Sequence, residues 1–457
     1  MNRNCKTHPL SVTLVSEQYA PDLSSTAQLF EELMVELQQQ GVAVRVCTLT
    51  PGYHGYVRQG KVPWREVRHG VPVRRLPRLP FRRSNRVGEA LNWLWGTVAL
   101  ALLAWRTPRE APLLISTNPP MAHVVGAVLK LLRGQRFIAL FYDLHPELSC
   151  AVGLLREGSL IDRLWRGINR WALRHTDVAV AIGAYMERVI KGRYPAVATT
   201  IIHNWCDPRV VRCLPKQASL FAREHGLLDK FVVLFSGNMG WRQRLEILIE
   251  VAALLTDLPI RFVFIGDGVK KAKLQEMARA RGLHNVLFFP YQPRHLMEHS
   301  LAAADLTVVS HEREAIGFGV PSKIYTYMAA GRAILGMASK PCELIDMVRE
   351  CQCGWVFDED QDRDAIADLL RNLLQAPQLS HHAGQRAREY FERHFTLQRV
   401  ARQYQEVIQR LCETGPAPGL FSRLFNRSPQ HPSLRQAGKS PAPPPRQSGQ
   451  RLEKVEL

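Results

Sequence analysis

The feature that most constrains this chain is an alternation of short apolar, β-branched runs with segments of helical periodicity, which starts afresh midway along the sequence. SVTLVS at 11–16 has the continuous apolar character of a buried strand. In 26–40, Leu29, Phe30, Leu33, Met34 and Leu37 share one helical face; Gly41 stops the helix, and VAVRVCTLT supplies the next strand. This is a βαβ unit. Further strands are predicted near 71–76 and at 113–117, 136–142, 177–182 and 199–202, with helices at 90–105, 122–132, 160–173 and 184–191. A second set opens with FVVLF at 231–235 and continues with strands at 260–265, 286–289, 305–309 and 333–335. Its helices fall at 245–255, 270–281, 321–330, 365–374, 382–394 and 397–412. Alternation of this kind implies parallel sheets covered by helices on both faces. The expected fold class is α/β, with two Rossmann-like doubly wound domains facing a cleft. The expected boundaries are 1–205 and 206–414, joined near 203–230. Residues 415–457 carry eight prolines and should be a disordered basic tail.

Charge says what such domains meet. The 457 residues include 60 Lys and Arg against 41 Asp and Glu, a net charge of +19. Between Arg58 and Arg86 there are ten basic residues and one acid, Glu66. Basic surfaces of this kind imply anionic partners such as phosphate-bearing ligands, nucleic acid or anionic lipid headgroups. No recognised nucleic-acid module accompanies the charge, so nucleic acid is not expected as a partner. The run ALNWLWGTVALALLAW at 90–105 would make a helix of about 24 Å, short of the roughly 30 Å a bilayer core requires. Its Trp93, Trp95 and Trp105, with the arginines upstream, suit docking on an anionic membrane surface. The nine cysteines show no paired C-x-x-C spacing, which fits reduced thiols and no metal site. The N-terminal residues pass straight into the first strand without an apolar leader, so a cytoplasmic chain is expected.

Three stretches carry candidate chemistry. GFGVPSKIYTYMAAGRAIL at 317–335 places Pro321, Ser322 and Lys323 at the start of a helix and Gly331 just past its end. That arrangement suits a phosphate. The loop after the strand at 231–235, SGNMGWRQR, contributes Ser236, Gly237, Asn238, Arg242 and Arg244 as a second phosphate cradle, and Gly266 closes the strand at 260–265. At the end of the strand at 136–142 stand Asp143, His145 and Glu147, where open α/β sheets place ligand chemistry. The loop after the first strand lacks G-x-G-x-x-G, so no dinucleotide fingerprint is present.

These stretches, taken in order, resemble a known family. EQYAPDLSS, TNPP at 117–120, DLHPE at 143–147, HNWCDP at 203–208, FSGNMG at 235–240, IGDG at 265–268 and VPSKIYTYMAAGR at 320–332 resemble the family-four glycosyltransferases of GT-B fold. The pattern is most similar to the branch of the colanic-acid fucosyltransferase and the O-antigen N-acetylfucosaminyl transferase, and covers about residues 10–412. The resemblance implies transfer of a sugar from a nucleotide-diphosphate donor (a UDP- or GDP-sugar) with retention of configuration and no metal or other cofactor. It implies a donor site on the second domain and, on the first, a polyprenyl-diphosphate-linked glycan acceptor at the inner face of the cytoplasmic membrane. The product would be an exopolysaccharide, O-antigen or capsule. Glu147 would be the base and His145 the acceptor orienter, with Asp143 beside them. Ser236, Gly237, Asn238, Arg242, Gly266, Glu314, Ser322, Lys323 and Thr326 would bind the donor. Thr326 stands where the family commonly has a ribose-binding glutamate, and Glu314 is the acid expected to compensate. The alternatives are a nucleotide-sugar epimerase of the same plan and a non-enzymatic basic protein that binds nucleic acid or membrane.

Overall fold

The computed structural model describes residues 10–22, 24–52, 62–81, 86–240, 243–311, 316–338, 341–358, 362–417 and 419–420. The first part of the chain runs β1 (Ser11–Val15), α1 (Ser25–Gln39), β2 (Ala43–Leu49), β3 (Arg65–Arg68), β4 (Val71–Leu76), α2 (Arg86–Trp105), β5 (Leu113–Ser116) and α3 (His123–Arg133). It continues through β6 (Phe137–Phe141), α4 (Glu147–Ala151), α5 (Leu160–Arg174), β7 (Val178–Ala181), α6 (Ala184–Arg193) and β8 (Thr199–Ile201). These strands form one sheet of order β3-β4-β2-β1-β5-β6-β7-β8, parallel except for the β3–β4 hairpin. β5 and β6 are buried along their whole length, which is why they read as unbroken apolar runs.

The second part contains α7 (Leu220–Glu224), β9 (Phe231–Ser236), α8 (Glu246–Ala253), β10 (Ile260–Ile265), α9 (Lys271–Ala280), β11 (Val286–Phe289), α10 (Met297–Ala302) and β12 (Leu306–Ser310). Then come α11 (Lys323–Ala329), β13 (Ala333–Met337), α12 (Glu343–Glu350), β14 (Gly354–Phe357), α13 (Arg363–Gln375), α14 (Gln378–His394) and α15 (Leu397–Thr414). The six strands form an all-parallel sheet of order β11-β10-β9-β12-β13-β14. Both sheets change direction of winding once, between β1 and β5 in the first and between β9 and β12 in the second. Ligand sites of such sheets lie outside the strand carboxyl ends at these switch points. The candidate loops after β6 and β9 stand at or beside them.

The structure differs from the sequence reading at several places; β14, α4, α7, α10 and α12 were not predicted, and four further differences bear on the site or its surface. α2 begins at Arg86 and has 20 residues, because the helical stripe extends upstream of the tryptophan-rich run. β3 is an extra edge strand whose alternating charged residues gave no apolar signal. α11 starts at Lys323, with Pro321 and Ser322 in the turn before it; Gly331 takes the left-handed conformation the sequence suggested, at φ +65°. Several of the arginines expected to face lipid are used inside the first domain: Arg75 is buried and pairs with Glu66 at 2.7 Å, Arg68 pairs with Glu31, and Arg78 with Glu17.

The last helix crosses between domains. Leu397, Val400, Ala401, Tyr404, Val407 and Ile408 of α15 are buried in the core of the first domain, packed beside α1 and β1. The chain leaves that domain at Cys206 and returns at Thr396. The two crossings lie side by side, with Cys206 N–H donating to Phe395 O at 3.2 Å and Leu397 N–H donating to Cys206 O at 3.1 Å. By packing, α15 therefore belongs with residues 10–205. Tyr404 is 1% exposed and meets Trp205 edge-on at 6.3 Å. Tyr404→Ala should therefore destabilise the first domain by about 3–5 kcal/mol, measured by urea denaturation, although the substitution lies at the far end of the sequence.

Candidate active site

The second domain's half of the site is built around Lys323, the first residue of α11. Its Nζ lies 3.7 Å from the centroid of the Phe235 ring at the end of β9, a cation–π contact. The tip is buried although the stem is partly exposed, and Nζ has no hydrogen-bond partner among the described residues. Burial lowers its pKa from 10.5 to about 7. Gly237 lies alongside: a Cβ there would be 3.4 Å from Nζ. The φ of Gly237, +133°, is one that only glycine adopts readily.

The glycine loops interlock through their backbones. Gly237 N–H donates to Ile265 O at 2.8 Å and Met239 N–H to Asp267 O at 2.7 Å. A Cβ on Gly266 would fall 2.1 Å from Gly237 O, so only glycine permits this approach. Since these amides are engaged, the loop supplies shape and a buried cation beside it rather than a row of free N–H groups. Tyr327, one turn after Lys323, ties the helix to the loop. Its hydroxyl accepts from Ser236 N–H at 2.9 Å and donates to Ser236 O at 3.0 Å. Sequence reading missed Tyr327 and Phe235; the i, i+4 spacing of Lys323 and Tyr327 was the available signal.

The other expected donor residues fall as follows. Ser322 precedes α11 without capping it, and Asn238 is exposed on the loop. Thr326 turns toward the domain crossing, where its hydroxyl bonds the Cys206 thiol. Arg242 and Glu314 lie outside the described residues. Arg244 is described; its backbone N–H donates to Ser310 Oγ at 3.2 Å. His311, at the end of β12, is buried, and burial lowers its pKa to about 4, so it is neutral at physiological pH.

The first domain's half follows β6. Asp143 and His145 keep partial exposure. The His145 ring stacks on Trp165 of α5 at 6.1 Å, its Nδ1 is 2.9 Å from Ser149 Oγ, and its carbonyl accepts from Asn169 at 2.7 Å. Glu147 differs: its carboxylate has no exposure and pairs with Arg166 at 2.8 Å and Arg193 at 3.4 Å. Burial raises its pKa against the pull of those arginines. The residue given the role of base by sequence thus faces inward, toward α5 and α6, and not into the cleft.

The two halves meet at the segment 316–320, which leads to Lys323. Leu144 N–H donates to Phe318 O at 3.2 Å, and Phe318 and Val320 pack on the first domain's core. A Cβ on Gly319 would lie 3.6 Å from Asp143 Oδ1. Asp143 is thereby brought beside the segment that leads to Lys323. Among the described residues no group of His, Cys, Asp and Glu is arranged to hold a metal.

Comparison with known proteins agrees with this architecture. Residues 26–205 match the glycosyl transferase 4-like domain and residues 219–390 the glycosyl transferases group 1 domain. The chain is thus a two-domain glycosyltransferase of GT-B fold. Among individual proteins it is similar to WbjE of Pseudomonas aeruginosa, a glycosyltransferase by assignment: 29% identity, covering 80% of this chain and 89% of that one. It is also similar to WcaI of Escherichia coli K12, a glycosyl transferase assigned to colanic acid biosynthesis: 27% identity, covering 86% of this chain and 98% of that one. Of solved structures, sucrose-phosphate synthase from Thermosynechococcus elongatus superposes with a TM-score of 0.70 at 16% identity, covering 89% of this chain and 100% of that one. HepE of Anabaena in complex with UDP superposes at 0.65 and 16%, covering 88% and 99%.

The lysine makes a prediction with a definite sign. In the free protein Nζ loses its proton near pH 7, whereas an anion paired with it moves the pKa back toward 10.5. Binding of UDP or GDP at pH 8 should therefore take up close to one proton per site, and at pH 6 Nζ should contribute only about a tenth of a proton. Calorimetric titration in buffers of different ionisation enthalpy measures this. Lys323→Met should abolish the uptake.

Proposed function

We propose that the protein transfers a sugar from a nucleotide-diphosphate donor to a lipid-linked glycan acceptor, with retention of configuration, in the assembly of a surface polysaccharide. The observation that carries the donor half is the buried ammonium of Lys323 beside Gly237, without a hydrogen-bond partner among the described residues. A cation placed there stabilises the charge that grows on the leaving diphosphate. Such groups, fixed before the reaction, are each worth roughly 3–4 kcal/mol. The UDP in the HepE structure and the polysaccharide assignment of WcaI support this reading. The donor is a UDP- or GDP-sugar, and no metal is required once Lys323, with Arg242 or Arg244, meets the diphosphate.

On the acceptor side, His145 and Asp143 orient the incoming hydroxyl, since they are the partly exposed groups of the DLHPE loop. Glu147 is a positioning residue: its pairs with Arg166 and Arg193 fix the start of α4 immediately after His145. The acceptor is a polyprenyl-diphosphate-linked glycan, and the protein works peripherally on the cytoplasmic face of the membrane.

Turnover decides the reading. Nucleoside diphosphate should be released from the correct donor only when a lipid-linked acceptor is present; release of an epimerised sugar without acceptor would instead favour an epimerase. Lys323→Ala should lower kcat by about a hundredfold or more with unchanged thermal melting, and near-normal turnover would remove the lysine from the mechanism.

A further inference from the structure

α5 is built inside out. Its polar residues Asp162 and Asn169 are buried, whereas Leu160, Ile161 and Leu164 are 84%, 64% and 66% exposed and Trp171 is exposed as well. The buried polar groups are satisfied. Asp162 accepts from Arg166 at 2.7 Å and from Gly158 N–H at 2.9 Å, and Asn169 bonds His123 and His145. The orientation of the helix is therefore fixed by its inner face, and the apolar outer face is an enforced part of the fold.

That outer face has neighbours of the same kind. On α2 the exposed residues are Val87, Leu91, Leu94, Val98, Leu102 and Trp105, a stripe at helical spacing. The opposite side of α2 supplies Ala99, Leu100, Leu103 and Ala104 to the core. α3, packed between α2 and α5, exposes Val128 and Leu131. Trp93 of α2 and Trp165 of α5 touch edge-on at 6.1 Å. Three adjacent helices on one side of the first sheet thus present apolar residues outward, where an isolated soluble domain carries polar ones.

The charge around this surface names its partner. At 3.6 residues per turn, Arg163, Arg170 and Arg174 form a ridge about 80° round the helix from the stripe of Leu160, Leu164 and Trp171. All three are exposed, and none has an acidic partner among the described residues. The acid nearest in sequence, Asp162, faces inward and is paired. An apolar stripe flanked by unpaired arginines matches the boundary between acyl chains and anionic headgroups.

We propose that the outer face of α2, α3 and α5 is the membrane-docking surface of this protein, with α5 lying in the interface of an anionic bilayer. This deepens the reading of a lipid-linked acceptor, yet its test needs neither donor nor acceptor. Because α5 contacts His145 through Trp165 and Asn169, the helix that meets the lipid also carries the acceptor-facing loop.

The full-length protein is floated with phosphatidylcholine vesicles with and without phosphatidylglycerol. Wild type should co-float with the anionic vesicles, and the double substitution Leu160→Glu, Leu164→Glu should weaken this by about tenfold or more without changing thermal melting. Arg163→Gln, Arg170→Gln and Arg174→Gln together should reduce binding to the level seen on neutral vesicles. Val269→Glu, at an exposed valine of the second domain, should change nothing. As a readout independent of these variants, brominated lipid should quench tryptophan emission in wild type, and less in Trp171→Phe. Equal flotation of wild type and the double variant, or no flotation on anionic vesicles at low salt, would overturn the proposal. So would a dimer in sedimentation equilibrium that the double variant abolishes, since a second copy would then be the occupant of this face.

Discussion

An ammonium held out of water is costly, and much of the second domain is arranged so that Lys323 stands in that position, with no anion beside its Nζ among the described residues. The residues after it, Ile324, Tyr325, Tyr327 and Met328, are buried in the core and leave the helix one placement. Tyr327 fastens the helix to Ser236, Phe235 lies under the ammonium, and Gly237 keeps the space beside it free of a side chain. Gly266 in turn lets the neighbouring loop press against Gly237 from behind. The glycines, the aromatic ring and the lysine thus form a single arrangement with one physical effect. A cation is fixed, poorly hydrated and partly deprotonated until a multiply charged anion arrives. In the function proposed above, such a site favours a diphosphate over water, and favours a leaving diphosphate more as its charge grows.

The first domain is held opposite that site by contacts many of which are specific and polar, beside the apolar packing of Phe318 and Val320. Glu343 of α12 accepts from the backbone N–H groups of Ala184 and Tyr185, at 3.0 and 3.2 Å, placing a carboxylate at the N-terminus of α6. The Tyr185 hydroxyl reaches Asp346 at 2.8 Å. Elsewhere Arg294 pairs with Glu32, which also accepts from Trp205 at 3.1 Å. The paired crossings at Cys206 and Thr396, with α15 packed back on the first core, tie the domains at a further place.

Most of the fold was legible because a parallel sheet buried on both faces leaves unbroken apolar runs in sequence. SVTLVS, RFIALFY and FVVLF needed no tertiary information. β3 was not legible because its residues Arg65, Glu66, Val67 and Arg68 serve an edge, and β14 because a four-residue half-buried strand carries too little pattern. α15 was predicted as a helix, but its periodicity says only that one face is buried, not in which domain. At the site, the loop spacing and the lysine were readable. The inward turn of Glu147 was not, since it depends on Arg166, which lies nineteen residues away, and on Arg193 from yet another helix. A carboxylate in a strand-end loop looks the same in sequence whether it faces substrate or guanidinium groups.

The helix α5 departs from the usual amphipathic arrangement. A layer helix ordinarily turns Leu and Trp inward. The structure turns it the other way, because Asp162, Arg166 and Asn169 have partners waiting inside: the amide of Gly158, the carboxylate of Glu147, and His123 with the carbonyl of His145. Each buried polar group would cost more unpaired than a leucine costs exposed, so the polar network dictates the rotation of the helix. The same network holds the loop bearing Asp143 and His145. Orienting the loop after β6 and exposing an apolar, arginine-flanked surface are therefore two consequences of one set of hydrogen bonds. A substitution that relaxed the helix toward an ordinary water-facing rotation would have to break the contacts that hold the loop bearing His145.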